Sequence, residues 1–351
     1  MNVLLVSTYK VACGIATYAE NLARALAPHA KVFIAAESLS KDLVHRTENV
    51  DNVQVYRLWK RSAPFDSQFG LSAILNFIKT SGKPDAVHIQ HEFGLFPDNA
   101  GFWKFVDALE TLKIKVVITF HTVSFSNVGF FRTRNISVIA HTKEGCLVLG
   151  QYLPNKYLIL HPVSRVPKGP EKPLDHGFLH WLVPGFISPS KNVEEIIKAF
   201  GESWNTCSKL HIVGLCRDPN YLAKLKSQIT SYSLEEFINI DEGFKSDDEI
   251  NAYLRTVDGI ILGGLKTSPY SASGQLAQAL GAARLVLAKN IPIYKSQFSQ
   301  NIIHFNSAEE LAKLLRCFPG IKQNNLEGVE HSNYITWPDA ALRHLEIYRQ
   351  P

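Results

Sequence analysis

Residues 162–177, Pro-Val-Ser-Arg-Val-Pro-Lys-Gly-Pro-Glu-Lys-Pro-Leu-Asp-His-Gly, decide how the rest of the chain divides. Four prolines and two glycines in one short stretch interrupt both helix and central strand, and mark a linker. Before it, apolar runs at 2–7 (NVLLVS), 31–37 (KVFIAAE), 53–59 (VQVYRLW), 85–91 (DAVHIQH), 115–121 (KVVITFH), 137–141 (SVIAH) and 157–161 (YLILH) predict strands. Several are apolar on both faces, as in a sheet covered by helices on both sides. Helix 15–28 sets Ile15, Tyr18, Leu22 and Leu26 at helical spacing, and 102–112 and 143–152 supply further crossovers. After the linker the alternation restarts. Strands are expected at 180–187, 209–214, 237–240, 259–263 and 284–288, with helices at 192–204, 219–231, 247–256 and 274–283.

This pattern predicts an α/β protein of two doubly wound Rossmann-like domains facing across a cleft. The expected boundaries are 1–165, a linker at 166–178, a second domain at 179–332, and a C-terminal segment 333–351 whose helix, 337–350, returns to the first domain.

Length and composition agree. A chain of 351 residues, 46% hydrophobic and 20% charged, is too long for one ordinary domain and too apolar to be disordered. No apolar run reaches the roughly 18 residues of a spanning helix. The first residues, MNVLLVS, read as a strand and lack the features of a signal peptide. Five cysteines, an odd number without a C-x-x-C pair, suggest neither a disulfide framework nor a zinc knuckle, and most read as small buried hydrophobes. A cytoplasmic location is expected. Residues 1–165 carry 18 Lys+Arg against 12 Asp+Glu, and the remainder 19 against 20, so any attraction for anions is concentrated in the first half.

Three stretches carry candidate chemistry. Ala12-Cys13-Gly14-Ile15 joins the first strand to the first helix, where a glycine lets backbone approach a ligand and the helix start favours an anion. The G-x-G-x-x-G fingerprint is absent and no acidic residue clearly ends the second strand, which argues against a nicotinamide dehydrogenase. Taken alone, a glycine at such a junction is more often a tight turn than an anion site. His121 closes an apolar strand in Thr119-Phe120-His121-Thr122, where it can meet a ligand hydroxyl or serve structure alone. In His88-Ile89-Gln90-His91-Glu92, strand alternation sends His88 and Gln90 to one face and His91 to the other, which argues against a metal site. In Ser271-Ala272-Ser273-Gly274-Gln275, Ser271 or Ser273 can cap a helix whose free N–H groups converge on one spot. Lys191, after another strand of the second half, can neutralise a phosphate there or remain a solvated side chain.

Taken in order, CGIATYAENL, HIQHEFGLF, VVITFHT, GFISPSKNVE, LHIVG and YSASGQLAQALG resemble the GT-B glycosyltransferases of family four, retaining enzymes that use nucleotide-diphosphate sugars. The likeness covers nearly the whole chain, including Trp337 to Tyr348 as the family's returning C-terminal helix. It implies that the second domain holds a UDP- or GDP-linked sugar as donor substrate, with no permanently bound cofactor. Ser273, Gly274 and Gln275 would give backbone N–H groups to the diphosphate, with Lys191 and Lys266 as cationic clamps. Phe244 would flank the base, Gly14 would approach from the first domain, and His121 would lie near the transferred sugar and acceptor.

The family's two glutamates, separated by seven residues, correspond here to Tyr270 and Gln278. A glutamine can still hold ribose hydroxyls; a tyrosine does not replace a carboxylate on the sugar. Ser188 stands where relatives often carry an arginine. No metal is expected, because Lys191, Lys266 and a helix start can meet the charge that builds on the leaving phosphate.

The expected activity is transfer of a hexose or related sugar to a hydroxyl of a glycan or lipid-linked acceptor. Arg57, Lys60 and Arg61 around Trp59, and Phe125, Phe130 and Phe131 before Arg132 and Arg134, suit an anionic membrane surface. The same residues suit nucleic acid, so a phage-type DNA glycosyltransferase modifying hydroxymethylated bases is one alternative. A nucleotide-sugar-binding protein with impaired catalysis is another.

Overall fold

The computed structural model describes residues 1–39, 45–50, 53–124, 135–175, 177–203, 207–265, 268, 270–295, 302–325 and 334–350. It divides into two compact units. One comprises Met1–Pro162, Pro269–Ala272 and Ile335–Pro351; the other comprises Val163–Ser268 and Ser273–Tyr334.

The first unit is built on strands β1 (Asn2–Ser7), β2 (Lys31–Glu37), β3 (Arg46–Val50), β4 (Val53–Trp59), β5 (Ala86–His91), β6 (Lys115–Phe120), β7 (Ser137–Ala140) and β8 (Lys156–Leu158). They form one sheet in the order β3-β4-β2-β1-β5-β6-β7-β8. Every pairing is parallel except the β3–β4 hairpin. Alternation along β1 feeds two cores. Leu4 and Val6 join Phe102 and Phe105 on one face, while Val3 and Leu5 join Tyr18, Leu22 and Leu26 on the other. Crossovers run through helices α1 (Gly14–Leu26), α2 (Ser72–Ser81), α3 (Asn99–Thr111) and α4 (Lys143–Gly150). The C-terminal helix, Trp337–Arg349, starts at a capping box of Thr336 with Asp339 and buries Ala340, Ala341 and Leu345 in the core that α1 shares.

The second unit has β9 (Leu179–Pro184), β10 (Ser208–Gly214), β11 (Ile238–Glu242), β12 (Gly259–Leu262), β13 (Leu285–Lys289) and β14 (Ile302–Phe305), with helices α5 (Val193–Glu202), α6 (Pro219–Ser231), α7 (Asp247–Thr256), α8 (Gly274–Gly281), α9 (Pro292–Lys295) and α10 (Ala308–Asn325). The sheet order is β11-β10-β9-β12-β13-β14, parallel throughout. In each unit the chain winds outward from a central strand, β1 or β9, and then reverses. The reversals fall between β1 and β5 and between β9 and β12, so a crevice opens beyond the carboxyl ends of each pair.

Four features depart from the sequence expectation. β3, α2, β14 and α10 occupy stretches to which the periodicity assigned nothing. Glu37 does end the second strand, contrary to the reading above, but both its oxygens accept from Arg61, at 2.7 and 2.9 Å. None of the cysteines is buried: Cys13, Cys146 and Cys216 are half-buried, and Cys207 and Cys317 are exposed. The supposed basic and aromatic surface around Trp59 is consumed by the fold.

Trp59 is 1% exposed and donates Nε1–H to the Ala35 carbonyl at 3.0 Å. Arg57, also buried, spans Glu48 with two bonds and donates to the carbonyls of Tyr9 and Glu37. Lys60 lies over the ring of Phe69. Alternation places Arg57 and Trp59 on the same side of β4, and both find their partners inside the unit. The second stretch, 125–134, lies outside the described residues.

Candidate functional site

In the second unit, three chain segments meet at the reversal point between β9 and β12. β9 ends at Pro184 and the chain turns through Gly185, at φ +95°. Its neighbour Gly214, at φ +149°, ends β10; a Cβ there would stand 1.9 Å from the Gly185 carbonyl oxygen. The two strand ends can lie this close only because Gly214 carries no side chain. Beyond Gly185 a 3-10 turn, Pro189–Lys191, leads to Asn192 in the left-handed region and then into α5.

That turn brings Lys191 to the start of α8. The Lys191 ammonium donates to Gln275 Oε1, and Gln275 Nε2 donates to the Pro184 carbonyl. A Cβ on Gly185 would fall 2.2 Å from Gln275 Nε2, so the glycine makes room for this bridge. Pro184, Gly185, Lys191, Gly263, Gln275 and Tyr294 line the resulting pocket.

Of the two candidate caps, Ser273 is the one in use: its Oγ accepts from Leu276 N at 3.2 Å. Ser271 Oγ instead donates to Thr122 Oγ1 in the first unit. Capping Leu276 leaves the N–H groups of Gly274 and Gln275 at the open end of the helix. Gly274 is exposed. Gln278 is half-buried one turn further along. Phe244 follows Gly243 at the carboxyl end of β11 and is 55% exposed, an open aromatic face on the same edge of the sheet. Lys266 lies outside the described residues.

In the first unit the corresponding edge carries Gly14 and His121. The loop from β1 to α1 is held by Arg57 on the Tyr9 carbonyl and by Glu20, which accepts from Lys10 N and pairs with Lys10 Nζ at 2.9 Å. Cys13 is the N-cap of α1 but gives no side-chain cap, so the helix start keeps its N–H groups available; a Cβ on Gly14 would also meet open space. The buried hydroxyls of Ser7 and Thr8, just before this loop, have no hydrogen-bond partner among the described residues.

His121 directly follows β6, its backbone N–H bonded to the His91 carbonyl. Its Nε2 lies 2.9 Å from Gln90 Oε1, and its ring meets Tyr18 edge-on at 4.8 Å. Burial, reinforced by His141, His161, His88 and His91, holds its pKa well below that of an ordinary imidazole. His88 and Gln90 share one face of β5 and bond to each other, while His91 packs among Phe96, Phe102 and Phe120 on the other. Tyr270 belongs to the first unit, where its carbonyl accepts from Val123 N and its ring packs against the core containing Phe120. That differs from the placement with the second domain that the resemblance implied. The break between units falls after Ala272, within the motif, and no periodicity marks it.

The structure therefore brings Lys191, Gln275, Ser273 and Gly274 to one crevice and sets His121 and Gly14 on the equivalent edge of the other unit. Sequence reading missed Gln90 as the partner of His121 and the side chain of Gln275 as the partner of Lys191. For Gln90 the signal was its shared strand face with His88; for Gln275 there was none, because its partners are remote in sequence.

Residues 12–213 match the profile of Glycosyltransferase Family 4. The chain belongs to that family and has the GT-B fold. No curated protein matches it. Among solved structures, HepE of Anabaena, determined in complex with UDP and glucose, is 15% identical with a TM-score of 0.72, covering 99% of both chains. Sucrose-phosphate synthase of Thermosynechococcus elongatus is 14% identical with a TM-score of 0.76, covering 100% of this chain and 98% of its own. A glycosyltransferase of Rickettsia africae is 18% identical with a TM-score of 0.77, covering 99% and 98%.

Proposed function

We propose that this glycosyltransferase is a retaining enzyme that moves a hexose or related sugar from a UDP- or GDP-linked donor to a hydroxyl of a glycan or lipid-linked acceptor. The observation that carries the reading is the convergence of Lys191 with the open N-terminus of α8 in the crevice between β9 and β12. A diphosphate in that crevice receives N–H groups from Gly274 and Gln275 and the charge of Lys191. Phe244 offers its exposed ring to the base, and Gln278 can reach the ribose. HepE, solved with UDP and glucose, supports a uridine donor.

When the glycosidic bond to phosphate breaks, negative charge grows on the phosphate oxygens. Lys191 and the helix N–H groups lower that barrier directly, without requiring a metal, because they are already aimed there. In retention the acceptor hydroxyl approaches from the leaving group's face and a phosphate oxygen takes its proton. No protein carboxylate pair is then needed, in keeping with Tyr270 and Gln278 at the positions where relatives carry glutamates.

The test is the anomeric configuration of the first-formed product, read by NMR with the donor that binds best, in the presence of EDTA. Retention supports the reading and inversion overturns it. Replacing His121 by alanine is expected to lower kcat roughly a hundredfold while leaving donor affinity within about twofold. Unchanged kcat removes His121 from the site. Donor binding with no transfer or hydrolysis by the intact protein points instead to a nucleotide-sugar-binding protein.

A further inference from the structure

Behind His121 lies a hydrogen-bonded chain that ends on the C-terminal helix. His121 Nε2 is 2.9 Å from Gln90 Oε1; Gln90 Nε2 is 3.1 Å from His88 Nε2; Thr119 Oγ1 is 2.8 Å from the same nitrogen; and His88 Nδ1 is 2.7 Å from the Tyr348 hydroxyl. His88, Gln90 and Thr119 are completely buried, and Tyr348 nearly so.

The Gln90 amide presents Oε1 to His121 and Nε2 to His88, and that orientation sets the direction of the links through the donor and acceptor inventory. An amide oxygen only accepts, so His121 Nε2 carries a hydrogen. An amide nitrogen only donates, so His88 Nε2 is bare, shared by Gln90 and the Thr119 hydroxyl. His88 is then protonated on Nδ1 and donates to Tyr348. With both rings neutral, His121, half-buried, is left with a bare Nδ1 that bonds to none of the described residues.

We propose that Gln90 is a positioning residue that holds His121 in its Nε2–H form, so that Nδ1 is presented as an acceptor to a sugar or acceptor hydroxyl, and that His88, Thr119 and Tyr348 fix the amide that does so. The claim that a hydroxyl is the ligand rests on the function proposed above; the tautomer assignment does not. The neutral state follows from the surroundings: Tyr18 on α1 and His141 after β7 face the ring, His161, His88 and His91 lie within electrostatic reach, and none of them supplies negative charge. The C-terminal helix thus reaches the site through Tyr348 without touching His121.

The test is long-range 1H–15N NMR of histidine-labelled protein, which reads each ring's tautomer with no substrate present. Wild type should show His121 as Nε2–H and His88 as Nδ1–H. Gln90→Leu should leave His121 in a mixture of tautomers and lower kcat roughly tenfold or more, with nucleoside-diphosphate affinity unchanged. Gln90→Glu, nearly isosteric, should raise the pH at which His121 protonates and move the acid limb of the kcat profile upward. Tyr348→Phe keeps the packing and should alter the tautomer of His88; it stands in if the Gln90 variants do not fold. His121 found as Nδ1–H in wild type, or unchanged in Gln90→Leu, overturns the positioning role. A changed tautomer with unchanged kcat overturns its link to catalysis while leaving donor binding untouched.

Discussion

Gly14 and Gly274 are the residues at which fold and function make different demands. Each starts a helix and is exposed, and a Cβ on Gly14 would enter open space. A helix start tolerates alanine well, and alanine exceeds glycine in helix propensity by up to about 1 kcal/mol. Gly274→Ala is therefore expected to hold or raise the midpoint of thermal unfolding. The same methyl would stand where a diphosphate approaches the N–H groups, and it should weaken nucleoside-diphosphate binding about tenfold in calorimetry. Loss of stability together with full affinity would show that Gly274 serves the fold alone. Gly214 is the converse case, needed for backbone contact with Gly185 whether or not a ligand binds.

Among elements, those with strong apolar patterns were legible and those defined by their neighbours were not. β1 and β6 carry continuous apolar runs, because they are covered on both faces. β3, with the sequence RTENV, is a polar edge strand that exists because β4 offers it an antiparallel partner. β14 is a four-residue edge strand too short to show a period. α10 did carry a signal, with Ala308, Leu311, Ala312 and Leu315 at helical spacing and all buried. The basic cluster around Trp59 misled because sequence shows charge but not its partners: Arg57 and Arg61 are taken up by Glu48 and Glu37.

The ends of β5, β6, β7 and β8, with the C-terminal helix, also enclose a group of neutral histidines. Burial lowers His91 and His141 to about 3 and His161 and His344 to about 4, and pushes His88 and His121 well down as well. In the unfolded chain these groups take up protons near pH 6.5. Their contribution to stability is complete above that value and falls away as pH drops toward the folded values, by up to about 1.4 kcal/mol per pH unit for each histidine. Thermal midpoints should thus be level from pH 8 to 7 and fall steeply between 6.5 and 5, a window in which most carboxylates remain ionised. Equal midpoints at pH 7.5 and pH 5 would show that these rings are not buried as neutral groups.

At the scale of the molecule, the linker, the two winding series and their order along the chain were all present as pattern, since each follows from local periodicity and glycine or proline content. Membership of the units was less visible. Pro269–Ala272 and the C-terminal helix belong to the first unit although the second lies between them in sequence, and no local rule predicts such returns. The same applies to the site, whose members are drawn together by topology: Lys191 and Gln275 come from opposite sides of the reversal at β9 and β12. Among the described residues, no helix is long and apolar enough to cross a membrane.

The central claim is that this crevice binds the diphosphate of a nucleotide sugar. The most direct measurement is a thermal-shift panel of UDP, GDP, ADP, TDP and their common sugar conjugates, run on the intact protein and on Lys191→Ala. A ligand at about a hundred times its Kd stabilises the unit that binds it by roughly 2.7 kcal/mol. The account predicts a clear shift for one nucleoside diphosphate and its sugar conjugate, much reduced in Lys191→Ala, with the free nucleoside affected far less by the substitution. No shift from any nucleotide, or equal losses for nucleoside and diphosphate in the variant, would contradict it.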